Sequence, residues 1–138
     1  MSIVQTQTTS FKAELYQAIH NLMTNQIKIA LYTASANLNE ATTIYSSDNE
    51  VVASGYTAGG EVLTPITVNS SGFTAYVGFP NVSWSAALTA RCALIYNVTQ
   101  GNKSIAVLDF GSDKTSTTTF TITMPVNGAT TALIRSSN

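Results

Sequence analysis

The sequence predicts a mainly β protein, a single jelly-roll-like antiparallel β-sandwich with a short N-terminal helix and an extended N-terminal arm. Three observations predict it. The chain holds 21 Thr, 15 Ser and 11 Asn among 138 residues, short polar side chains that favour strands, turns and caps over helix interiors. From Ile27 onward apolar residues recur with a period of two, and Gly, Asn, Pro and Ser clusters break the runs at regular intervals. A length of 138 residues is that of one ordinary domain, so the expected layout is an arm over 1–10 and one domain over 11–138.

The arm, Ser2 to Thr9, is extended in character and has Ile3 and Val4 as its only large apolar groups. With so few, it is expected to order only on docking to a partner. Phe11, Leu15, Ala18, Ile19 and Leu22 then fall on one helical face. They predict about three turns, capped by Ser10, favoured by Glu14 in the first turns and ended at Thr24-Asn25. Ile27 to Tyr32 alternates as a half-buried strand does. Further strands are expected over 50–53, 62–68, 73–79, 82–84, 91–98, 104–110, 117–124 and 132–135. Pro65 demotes 62–68 to an edge or a bulge, because proline cannot donate to a ladder. Seven to nine short strands with regular turns mean a sandwich or barrel. The segment 34–49 has no clear period, and a connection that long is usually functional or ordered by a partner. Leu38, Ile44 and Tyr45 in it, with Ile3 and Val4 of the arm, are the candidate partner contacts. Gly55, Gly59 and Gly60 are read as a structural turn that needs positive φ.

Only six residues are basic and seven acidic, about 9% of the chain against about 25% in a typical soluble domain. A net charge of −1 supplies no field for phosphates, so direct nucleic-acid binding is not expected. The one cysteine, Cys92, excludes an intramolecular disulfide framework. Met1 to Ser10 has neither a basic nor an apolar leader region, and no apolar run is long enough to span a bilayer, so neither secretion nor membrane insertion is expected.

No catalytic constellation stands out. His20, the only histidine, lies near the end of the expected helix and reads as a helix-surface or satisfied helix-end imidazole; no G-x-S-x-G elbow accompanies it. Cys92 sits in the apolar run Ala93-Leu94-Ile95 and reads as a small buried thiol. Asp48-Asn49-Glu50 and Asp109 with Asp113 are the densest oxygen clusters, but neither follows the spacing of a calcium loop. Gly55-Tyr56-Thr57-Ala58-Gly59-Gly60 lacks the lysine and helix of a phosphate cradle. Tyr45, Tyr56, Tyr76 and Trp84 suit either core packing or stacking on sugar rings. No cofactor, no metal site and no enzymatic activity are therefore expected.

Several strings together resemble a family of small virion structural proteins of tailed bacteriophages. They are Lys28-Ile29-Ala30-Leu31-Tyr32-Thr33, Asn49-Glu50-Val51 leading into Gly55 to Gly60, Ala93-Leu94-Ile95-Tyr96-Asn97, the run Ala106 to Lys114, and Ala132-Leu133-Ile134-Arg135. The resemblance covers most of 11–135 and leaves out Ser2 to Ser10. It implies an assembly component located in the virion and built in the host cytoplasm. A capsid decoration (cement) protein bound to the major capsid protein is the first expectation. A neck or tail adaptor forming a ring is the alternative, and a carbohydrate-binding host-attachment module using Trp84 and the tyrosines is a third. Low charge and apolar strand windows independently favour lasting partners, copies of the chain included.

Overall fold

A computed structural model of the chain describes residues 2–137. It is mainly β, with 43% of residues in strands and 6% in one helix. The elements run β1 (Thr6–Gln7), α1 (Thr9–Tyr16), β2 (Ile27–Tyr32), β3 (Glu61–Val62), β4 (Thr67–Ser71), β5 (Thr74–Gly78), β6 (Val82–Trp84), β7 (Thr89–Asn97), β8 (Lys103–Thr115), β9 (Phe120–Ile122) and β10 (Ile134–Ser137). Every strand pairing is antiparallel. Five strands form one sheet in the order β1-β8-β7-β2-β3, three form β10-β5-β4, and β6 pairs with β9 alone.

One core joins the five-stranded sheet to the two smaller ones. Ile27, Ile29, Leu31, Ile95, Ile105 and Leu108 from the large sheet pack with Val77, Trp84, Phe120, Ile122 and Ile134 from the small ones. This is the two-layer burial of a sandwich-like domain. The opposite face of the large sheet is buried as well. Ala30, Tyr32, Cys92, Leu94, Tyr96 and Val107 point to a second cluster, which Ala36 and Leu38 close from outside. Double burial explains why β7 reads as a near-continuous apolar run, and it overturns the half-buried reading of β2, whose alternate side chains Ala30 and Tyr32 are buried on the second face.

The helix is shorter than its apolar spacing predicts and starts earlier. Thr8, not Ser10, is the N-cap: its side chain accepts from the N–H of Phe11, and α1 stops at Tyr16 with Gln17 as C-cap. Ala18 turns left-handed at φ +59°, and the N–H groups of Ala18 and Ile19 close back on the carbonyls of Leu15 and Glu14. That pattern ends a helix whatever the apolar spacing beyond it. Leu22 still reaches the core, because the reversed chain lies against the same layer; spacing alone cannot separate a third turn from a reversal. The expected strand 62–68 is divided into β3 and β4, with Pro65 between them. Of 50–53 only bridges survive, Glu50 to Tyr32 and Ala53 to Tyr56.

The arm does not wait for a partner. Thr6 and Gln7 pair with Val107 and Ala106 on the β8 edge, Thr8 is fully buried, and Leu38 exchanges backbone hydrogen bonds with Ser2 and Val4. Backbone pairing supplies the order that its few apolar side chains do not.

Candidate functional site

The candidate contact residues gather around the cover on the second face of the large sheet, and the structure divides them. Leu38 is buried, Ile3 is half-buried beside it, and Tyr45 packs on the same cluster. These three serve the fold. Val4 at 40% and Ile44 at 53% exposure remain available to a partner. The cover, residues 33–50, is tied to the chain's own backbone: Thr33 N–H to Asn49 O, Tyr45 N–H to Asn102 O, and Ser104 N–H to Thr43 O. Its length is thus accounted for by an intramolecular role, covering a sheet that would otherwise expose Leu94 and Val107.

Glu50 fastens this cover to the glycine turn. It is only 7% exposed, and its carboxylate accepts from Tyr45 Oη at 2.6 Å, Tyr56 Oη at 2.5 Å and the Gly59 N–H at 2.7 Å. Tyr56 Oη in turn accepts from the Leu31 N–H, and Tyr96 Oη donates to the Gly59 carbonyl. Tyr45 stacks on Tyr96 with ring centroids 4.6 Å apart. Burial, chiefly, and the neighbouring carboxylate raise all four phenols of Tyr32, Tyr45, Tyr56 and Tyr96 above the usual range, Tyr96 to about 12. Such hydroxyls hold their protons and donate, which is what a buried carboxylate without a cation needs. Gly55, Gly59 and Gly60 all have positive φ. An added Cβ at Gly60 falls on the Ile29 carbonyl and one at Gly55 on the Ser85 carbonyl, so both serve close backbone approach. The sequence reading missed Glu50, Tyr56 and Tyr96 as a unit. Its one legible trace is that Glu50, the last member of the Asp48-Asn49-Glu50 cluster, stands directly before the apolar run Val51-Val52-Ala53.

His20, Cys92 and Asp109 are each occupied or buried. His20 Nε2 lies 2.8 Å from Glu14 Oε1, and its Nδ1 faces Asn97 Nδ2 at 2.9 Å. The same Asn97 amide donates to Asn25 Oδ1, and Asn97 Oδ1 accepts from the Gln100 N–H. With Nδ1 accepting, Nε2 carries the proton and donates to Glu14. Both imidazole nitrogens are therefore spent on tying α1 to β7. Cys92 is fully buried, and burial pushes its thiol up to about 12, away from nucleophilic reactivity. Asp109 pairs with Arg91 at 3.4 Å and accepts from the Gly111 N–H; Asp48 is exposed. Among the described residues no group of three or more His, Cys, Asp and Glu is placed to hold a metal. No helix among them is long and apolar enough to cross a membrane. Trp84 is 2% exposed, between Tyr56 and Phe120 in the core, so neither it nor the buried Tyr56 presents a face to a sugar.

Compared with known proteins, the chain matches no family model, no curated sequence and no solved structure.

Proposed function

We propose that this chain is a structural protein of a tailed-phage virion, a capsid decoration protein that stabilises the head by binding several major-capsid subunits. The jelly-roll-like connectivity expected from the sequence belongs to the same reading. The observation that carries it is where large apolar side chains meet solvent. Tyr16 (92%) ends α1, Ile44 (53%) lies on the cover, Val52 (96%) precedes the glycine turn, Phe73 (91%) tips the β4–β5 hairpin, and Val126 (76%) lies between β9 and β10. One such residue on a surface is ordinary. Five on five separate segments of a charge-poor chain suit a molecule with neighbours on several sides. Small contacts of that kind add up when every partner is fixed in one lattice. The chemistry asked of the chain is then mechanical: a spread of contacts that lowers the free energy of the assembled shell.

The test is the number of copies in purified particles, by quantitative mass spectrometry, with the position of the density in an electron-microscopy map. Decoration requires hundreds of copies on the head surface. A single ring of copies at the neck or tail would move the protein to the adaptor role, and absence from the particle sinks the reading.

A further inference from the structure

From Val62 to Ala90 the chain holds no Asp, Glu, Lys or Arg, and this stretch includes β4, β5 and β6. β4 ends its sheet, paired with β5 on one side only. All five of its residues are exposed, and its register with β5 runs without a bulge. Strand edges that stay single in water are guarded by charge, proline, bulges or a covering segment. The other free edges here have such guards. The outer part of β8 carries Asp113 and Lys114 and a bulge, since Ala90 faces Lys114 while Cys92 faces Asp109, β3 carries Glu61 and β10 Arg135, and β1, β6 and β9 are guarded by being only two or three residues long. Between Thr67 and Ser71, β4 has none.

The side chains at this edge are complementary to themselves. Val68, Val77 and Ile134 form one row across the three strands; the last two are buried, whereas Val68 is 48% exposed. Beyond one end of β4, Phe73 stands 91% exposed. Beyond the other end, Leu22, Met23, Ile27, Val62, Leu63 and Ile66 help to line a hollow of about 260 Å³. Directly opposed residues of an antiparallel pair share a face, so a two-fold axis normal to the sheet must pass through a residue position. With the axis at Val68, that residue meets its own copy and the apolar row continues across both sheets. The same register sets Ser71 opposite position 65 of the other copy, so the Gly72-Phe73 tip that follows β4 lies toward the hollow of the other molecule.

We propose that two copies of this chain join edge to edge through β4, about a two-fold axis at Val68, with Phe73 of each seated against Met23 and Val62 of the other, the exposed apolar side chains of that hollow. The inference does not depend on the virion reading, although it assigns to the dimer one of the five exposed side chains counted there, Phe73. A closed isologous contact also removes the unguarded edge from further pairing.

Sedimentation equilibrium of the full chain over a concentration series tests it. The wild type is expected at twice the chain mass. Val68→Lys puts two like charges at the axis and should weaken the dimer by about 100-fold or more. Phe73→Ser should weaken it by about tenfold or more. Ser112→Lys, at an exposed site on β8 in the other sheet, should leave the dimer unchanged. A wild type that stays monomeric, or that forms an assembly of another size, overturns the proposal, and so does a dimer indifferent to Val68→Lys. Circular dichroism checks that Val68→Lys is folded. If it is not, Phe73→Ser decides alone, because its side chain touches little of its own molecule, and an undiminished dimer then overturns the proposal.

Discussion

At Gly60, φ is +81° and a Cβ would fall on the Ile29 carbonyl, so even alanine must push the turn off β2. Gly60→Ala is expected to cost about 3 kcal/mol. Gly59→Ala should cost about 1–2 kcal/mol, since its φ is also positive but the Cβ would meet only the ends of side chains, Tyr96 Oη at 3.3 Å and Lys28 Nζ at 3.9 Å. Thermal melts of the two variants should keep that order, and equal melts would remove the argument from close approach. Glu50→Ala leaves the Gly59 N–H and the hydroxyls of Tyr45 and Tyr56 without their acceptor, and should cost about 2–4 kcal/mol. Glu50→Gln keeps one acceptor oxygen and can donate to a phenol, so it should lose clearly less. Chemical denaturation of both variants checks this ordering. The glycines were legible in sequence because paired Gly between strand patterns has few other uses. The role of Glu50 was not, because its three donors come from positions 45, 56 and 59, and their convergence depends on a turn whose shape no local pattern records.

Among the elements, β1 and the cover depart furthest from sequence expectation, and for one reason. Both lack apolar periodicity and are ordered by backbone hydrogen bonds to segments distant in sequence: β1 to Val107 and Ala106, the cover to Ser2, Val4, Asn102 and Ser104. Deleting residues 2–7 therefore removes a sheet strand and two fastenings of Leu38. It should lower stability by about 2–4 kcal/mol, visible as a melt lower by many degrees. A truncated protein melting with the full chain would show that the arm adds nothing to the fold, as its sparse apolar content alone suggests. By contrast the positions of β2 and β6 were legible, because Ile27–Tyr32 and Val82–Trp84 pack locally patterned side chains straight into the core, although the second buried face of β2 was not.

For the whole molecule, enclosing a sheet on both faces places several weak acids in low dielectric at once, and this makes alkaline stability a property of the entire domain. Burial raises the thiol of Cys92 from 9.0 to about 12 and the phenol of Tyr96 from 10.0 to about 12, and it moves Tyr32, Tyr45 and Tyr56 in the same direction. In each case the folded pKa lies above the unfolded one. The associated stability is fully present below pH 9.0, the lower of the two ordinary values, where both states hold their protons. As pH rises past 9.0 and 10.0, the unfolded chain releases protons that the folded chain keeps. Unfolding is then favoured by about 1.4 kcal/mol per group for each further pH unit. Several groups act together against a total stability on the order of 5–15 kcal/mol, so the domain is expected to unfold before its buried phenols ionise in place. Tyrosinate absorbance and far-ultraviolet circular dichroism, followed together on rising pH, should show these phenols ionising in the same cooperative step that abolishes the strand signal. If the buried tyrosines ionise first, with the strand signal intact, the second face of the sheet is open to water and the cover does not enclose it.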